Sequence, residues 1–494
     1  MGLKSIATKL AASFVMKGIK KWSNAPSETQ KKNFDYLIDK AKNTSFGQDH
    51  HFAEIQHYDD FKKYVPIRDY EGLRPYVERA VAGERDVLWK GQPKYFAKTS
   101  GTTSGAKYIP LSKESIKYHI NSARNALFSY VNETGNSHFF DGKMIFLSGS
   151  PEIEKKNGVY VGRLSGIVNH HIPSFFKGNQ KPTYQTNCIE DWETKLAKIV
   201  EETEDEDMRL ISGIPPWMQM YFDQLIVKKG KKIKDIFPNL SVLVQGGVNY
   251  EPYRKKIVES IGKEIDTIET YPASEGFIAY QDSQSEEGLL LLLNNGIFYE
   301  FVPTEEYFDE NPTRLSIDEV ALGVNYALIM STNSGLWAYS IGDTVKFVSK
   351  DPYKIVVTGR IKHFISAFGE HVIGEEVEKA MNNTLAKYSD AQVTEFTVAP
   401  YVSEGEGKSY HQWFVEFEHE PQNIEAFGKE LDVQLTQLNT YYDDLISGNI
   451  LLPLRLTSLP QGAFVQHMKS KGKLGGQNKV PRLSNDRNFV EGLG

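Results

Sequence analysis

Three segments in the first half of the chain share one pattern: KMIFLSGS at 143–150, MRLISGIPPW at 208–217 and LSVLVQGG at 240–247. Each is a short apolar run that ends in glycine or serine. Buried strands running into glycine-bearing loops read this way. Helical stretches lie between them, and alternating strands and helices predict an α/β core. In such cores ligands bind beyond the carboxyl ends of the strands, where these glycines fall. At 494 residues two or three domains are expected. The composition changes after Gly359-Arg360: a helix (HVIGEEVEKAMNNTLAKY), two alternating strands (VTEFTVAPY and YHQWFVEFEHE), one long helix over NIEAFGKELDVQLTQLNTYYDDLIS and a strand (ILLPLRLTSL). The reading is therefore a large α/β domain over 1–360 and a smaller α+β domain over 361–494.

Earlier in the chain, residues 28–50 read as a helix and loop, and YVPIRDYEGLRPYVERAVAGE as an extended approach, a helix and a glycine stop. A net charge of −7 argues against nucleic acid, which demands concentrated positive charge. Cys188 is the single cysteine, so no intrachain disulfide forms; it reads as a small buried hydrophobe, and a reducing cytoplasm fits. The first 22 residues carry five lysines with Leu3, Ile6, Leu10, Phe14, Val15 and Ile19 between them, the spacing of an amphipathic helix; docking on its own domain is the first reading and lying on a surface the alternative. No apolar run there is long enough for a signal-peptide core or a membrane span. The acidic run at 201–207 reads as a solvated helix end, and neighbouring His170 and His171 point in different directions rather than sharing a metal.

Four constellations carry chemistry. The first is TSGTTSGAK at 99–107. Its small hydroxyl residues and glycines let backbone and side-chain donors converge, and its lysine adds charge, as a phosphate cradle requires. It is not a Walker loop, since Ala106 separates Gly105 from Lys107; a polar linker is the other reading. The second is TYPASEG at 270–276, after the strand EIDTIE. A carboxylate there suits Mg²⁺, which takes few protein oxygens and fills its shell with phosphate and water; an exposed turn is the alternative. In the third, YSIGDTV at 339–345, an aspartate can accept both hydroxyls of a ribose, unless Gly-Asp is simply a hairpin turn. The fourth, GKLGGQNKVPR at 472–482, is a basic glycine-rich loop able to carry a lysine into a site, or else a plain basic tail. Trp217, Met218 and Met220 are candidates for an acyl pocket, with core packing the alternative for at least one.

Taken in order, TSGTTSGAKYIP, YPASEGFIAYQ, YSIGDTVKF, GRIKHFISAFGEHV and QNKVPR resemble the adenylate-forming superfamily. More closely they resemble the auxin-responsive Gretchen Hagen family of acyl-acid amido synthetases, including its bacterial members. The resemblance implies an adenylate-forming N-terminal domain and a mobile C-terminal domain, with ATP and Mg²⁺ as cofactors. It assigns Ser100, Gly101, Thr102, Thr103 and Lys107 to the phosphate loop, and Gly246 and Gly247 to adenine packing. It sets Tyr271 and Ser274 beside the nucleotide, Glu275 at Mg²⁺, Asp343 at the ribose, Arg360 at the hinge and Lys479 as the lysine assisting adenylation. His371 stands where plant members carry a lysine. The apolar stretch around SGIPPWMQMYF matches no plant hormone pocket, which leaves the acid unnamed.

The implied reaction adenylates a small carboxylic acid and passes the acyl group to an amine, an amino acid by expectation. The alternative keeps the same first step with a coenzyme A thiol as acceptor. A non-catalytic binding protein is disfavoured by the joint presence of Glu275, Asp343 and Lys479.

Overall fold

A computed structural model of the protein describes residues 3–102, 105–172, 178–247, 250–361, 364–365, 367–370, 372–403, 409–471, 480–484 and 486–493. In chain order the first strands are β1 (Tyr95–Thr102), β2 (Gly105–Leu111), β3 (Lys143–Phe146), β4 (Ile153–Lys156), β5 (Val159–Gly162) and β6 (Gln180–Lys181). They are followed by β7 (Met208–Ser212), β8 (Val242–Gly246), β9 (Asp266–Ala273), β10 (Gly276–Tyr280) and β11 (Leu289–Leu291). Then come β12 (Ile297–Pro303), β13 (Asn325–Thr332), β14 (Tyr339–Lys350) and β15 (Tyr353–Arg360).

The three glycine-tipped runs become β3, β7 and β8, parallel neighbours in an 11-stranded sheet ordered β12-β13-β14-β15-β11-β10-β9-β8-β7-β3-β6. From β6 to β9 the sheet is parallel; from β9 to β12 it is antiparallel. The switch has a local cause. Only Ser274 and Glu275 separate β9 from β10, and two residues can make a hairpin but no crossover. β1 and β2 are neighbours in a separate 4-stranded sheet, in which β1 pairs in parallel with β5.

Residues Met1–Thr99, Tyr108–Ile189 and Leu196–Ile361 form one unit; Ser100–Lys107, Glu190–Lys195 and Lys362–Gly494 form the other. In the second, β16 (Phe364–Ile365) and β17 (Val372–Ile373) precede the helix Gly374–Lys387. Strands β18 (Gln392–Tyr401), β19 (Tyr410–His419) and β20 (Arg455–Leu459) form its three-stranded sheet. The single long helix expected after β19 is two, Ile424–Leu438 and Thr440–Ser447. Asn439 divides them: it leaves helical geometry and its side chain accepts the Tyr442 amide, capping the second helix.

Other expectations resolve locally. Asp69 caps the helix Tyr70–Val81, and Gly83 beyond it has φ +100°. His170 and His171 bond to different partners, the Pro151 carbonyl (2.8 Å) and the Tyr95 hydroxyl (3.0 Å). Cys188 is half-buried, not fully enclosed as expected, because it caps the end of the short helix Tyr184–Asn187. No described helix is long and apolar enough to cross a membrane. The helix Leu3–Ser23 forms as expected, but the side chains it buries include Ala12 and Ile19, while Leu10 and Phe14 face solvent.

Candidate functional site

The tip of the β9–β10 hairpin and the start of β14 meet. Register pairs Ala273 with Gly276 and Pro272 with Phe277, so Ser274 and Glu275 form the turn itself. Both are half-buried. The Tyr271 hydroxyl, on β9, donates to the Asp343 carboxylate on β14. The Tyr339 hydroxyl, at the start of β14, donates to Glu275 Oε1 at 3.3 Å. Two carboxylates from separate motifs are thereby tied into one group by two tyrosines. Asp343 is 8% exposed and lies inside β14, so Gly342-Asp343 is a strand segment and not a hairpin turn. Gly342 has φ +85° and its carbonyl accepts the Ile361 amide at 2.8 Å.

β14 is held from outside the sheet as well. The Arg68 amide donates to the Ala338 carbonyl and the Ser340 amide to the Arg68 carbonyl, at 3.0 and 2.8 Å. The Tyr307 hydroxyl reaches Ser340 Oγ at 2.7 Å. Tyr339 is thus fixed along its backbone, and its ring is 2% exposed.

Gly246 ends β8 in register with Thr270. A Cβ at this position would overlap the Thr270 carbonyl oxygen, so the close strand approach needs glycine. Gly247 follows with φ +83°, a left-handed conformation that turns the chain off the strand end.

Behind the hairpin, His119 is 3% exposed and edge-on to Phe277, with ring centroids 6.5 Å apart. Its Nε2 has no protein partner among the described residues. Burial pushes this imidazole down to about 4. Sequence reading passed over His119, since one histidine on a helix carries no spacing signal. Tyr339 carries no role in the sequence motif, and only the fold shows it reaching Glu275.

The remaining candidates fall as follows. Ser100, Gly101 and Thr102 end β1, and Lys107 is half-buried on β2. Arg360 ends β15, paired in register with Asp343. Met218 in the helix Pro215–Lys229 is fully buried, as are Tyr221, Phe222 and Leu225, whereas Trp217 and Met220 are half-buried. Core packing therefore accounts for Met218. Thr103, His371 and Lys479 lie outside the described residues. The residues just after Lys479 are anchored: Thr397 Oγ1 donates to the Pro481 carbonyl at 2.6 Å, and the Val398 amide to the Arg482 carbonyl at 3.0 Å. The Arg482 guanidinium pairs with Glu395 and with Glu378 (2.9 Å) and lies 4.6 Å from the Phe396 ring centre.

Among the described residues no three His, Cys, Asp or Glu side chains cluster as a metal cage. The half-buried carboxylate of Glu275, bonded to the Tyr339 hydroxyl, is of the kind that could hold a cation bringing phosphate and water as its other ligands.

Family models match in three consecutive blocks: the GH3 family N-terminal domain over residues 15–195, the central domain over 290–360 and the C-terminal domain over 375–488. Among curated proteins, the jasmonoyl–L-amino acid synthetase JAR4 of Nicotiana attenuata is 24% identical over 355 residues, 58% of this chain. The chain spans 60% of that relative's length. The structure of the acyl acid amido synthetase AtGH3.15 with 2,4-DB superposes with a TM-score of 0.62 at 16% identity, covering 98% of this chain and 95% of that one. A 2-hydroxyisobutyryl-CoA ligase solved with 2-HIB-AMP and CoA superposes with a TM-score of 0.61 at 13% identity, covering 96% and 91%. Both structures share the fold of this chain. The three family blocks together span most of the sequence, in family order and with Asp343 inside the central one: the chain belongs to the GH3 family.

Proposed function

We propose that this GH3-family amido synthetase joins a small carboxylic acid to an amino acid in two half-reactions. A carboxylate oxygen of the acid attacks the α-phosphorus of ATP, and pyrophosphate leaves. The amine then attacks the carbonyl carbon of the acyl-adenylate, AMP leaves, and the amine proton passes to solvent. The reading rests above all on the pairing of Tyr271 with Asp343 and of Tyr339 with Glu275. That pairing brings a ribose-type acceptor and a cation-type carboxylate to one strand end, the usual place for ligands in such sheets.

In this reading Asp343 accepts the ribose hydroxyls, and Gly246 and Gly247 pack against the adenine beside Tyr271 and Ser274. Ser100, Gly101, Thr102, Thr103 and Lys107 hold the terminal phosphates. Glu275 would hold Mg²⁺, which supplies charge neutralisation on the phosphates when bound. Lys479 places its ammonium between the attacking oxygen and the α-phosphate, where negative charge gathers. The 1–360 domain holds ATP and acid, and the 361–494 domain carries Lys479 and moves after Arg360 to admit the amine. Trp217 and Met220 remain candidates for the acyl pocket. The setting is cytoplasmic, on the reading of a single half-buried cysteine.

The test is acceptor-dependent AMP release. Protein, ATP and Mg²⁺ are mixed with pooled aromatic and aliphatic acids, then with amino acids or with coenzyme A, and products are weighed by mass spectrometry. A new amide mass with amino acids is the expected result. A thioester mass found only with coenzyme A would move the protein to the ligase reading. No AMP with either acceptor would remove the adenylation proposal.

A further inference from the structure

The helix Leu3–Ser23 has two unlike faces. One is docked: Ala12 and Ile19 are buried, and Val15 and Met16 pack on the cluster containing Phe128 and Tyr130. The other holds Leu10 and Phe14 out in solvent, 73% and 79% exposed, one helical turn apart. Exposed Lys17 and Lys21 continue the same stripe. At 3.6 residues per turn these four side chains fall within about 60° of one another. Exposed Lys20 flanks them, and no acidic residue precedes Glu28, although the whole chain carries −7.

Packing within the unit does not account for this face, because the helix is already anchored by its opposite side. Two large apolar side chains set among lysines call for a surface that is both anionic and underlain by hydrocarbon. We propose that this face docks the protein reversibly on an anionic phospholipid surface. Leu10 and Phe14 would sit at the boundary of headgroups and acyl chains, and the lysine stems would lie along it with their ammonium groups at the phosphates. The helix lies in the surface and does not cross it. A protein groove fits less well: two side chains on one convex helix offer far less than the roughly 1,000 Å² of a specific interface. Membrane association needs only a few inserted side chains and a basic cluster.

The test is vesicle flotation of the full chain, with phosphatidylcholine alone and with phosphatidylglycerol added. Co-flotation is expected only with the anionic vesicles, weakening as salt shortens the reach of the lysines. Leu10→Ser with Phe14→Ser should abolish it while leaving the circular dichroism and melting curve unchanged, because neither side chain is packed. Lys17→Gln with Lys21→Gln should weaken it about thirtyfold. Absence of co-flotation, or co-flotation indifferent to both pairs of substitutions, overturns the proposal. Self-association without vesicles that the Leu10/Phe14 pair abolishes would instead assign the face to a second copy of the chain.

Discussion

Asp343 is a nearly enclosed carboxylate, one oxygen of which accepts from Tyr271, and a carboxylate offers about four acceptor sites in all. Removing it with Asp343→Ala deletes a charged acceptor, and such hydrogen bonds contribute about 1.5–3 kcal/mol. ATP affinity measured by calorimetry should fall about tenfold to a hundredfold; unchanged affinity would take the ribose role from this residue. Gly246 poses a purely steric question. In Gly246→Ala the new methyl group meets main-chain oxygen, which cannot swing aside, so a loss of about 1–3 kcal/mol is expected in urea unfolding. His119 makes stability depend on pH. Its native imidazole stays neutral down to about 4, whereas the unfolded chain protonates near 6.5. Between those values the unfolded state binds the extra proton, so stability falls as pH is lowered from 6.5 towards 4, by about 3 kcal/mol in all. His119→Leu should flatten that part of the stability profile.

At the level of elements, the segment 480–484 decides where Lys479 is tethered. The Pro481 and Arg482 carbonyls are bound along β18, and the Arg482 side chain is held by two carboxylates and an aromatic face. Arg482→Ala should slow adenylate formation, read by pyrophosphate release, by about tenfold to a hundredfold through misplacement of the lysine. ATP affinity should change little. Much of this architecture was legible. The runs at 143–150, 208–217 and 240–247 announced β3, β7 and β8, and alternation announced β18 and β19. The antiparallel half of the large sheet was not. Strand β10 is buried at every position and β13 at nearly every one, so both read as continuous apolar runs, just as parallel strands do. Short links distinguish them: two residues, Ser274 and Glu275, join β9 to β10, and six, 333–338, join β13 to β14, too few for a crossover. The break at Asn439 escaped for a related reason: apolar periodicity runs on through it, and asparagine's capping role shows only once Tyr442 is seen above it.

For the whole molecule, the two half-reactions proposed for one chain require that some residues serve only the first. Lys479→Ala should cut adenylation about a hundredfold to a thousandfold while ATP still binds and pre-formed acyl-adenylate is still consumed by the amine. Wild-type adenylation rates in this variant would release the lysine from its proposed role. The candidate site stands in the sequence as separate motifs and not as an assembly: nothing in the spacing of Tyr271 and Asp343, or of Tyr339 and Glu275, shows which hydroxyl meets which carboxylate, because strand register decides it. That register reaches further. Asp343 faces Arg360 across β14 and β15, and the next peptide, Ile361, is bonded to the carbonyl of Gly342. The first unit ends at that residue. With the ribose on Asp343 as proposed, occupancy of that carboxylate would lie a single peptide from the point where the chain leaves its first unit.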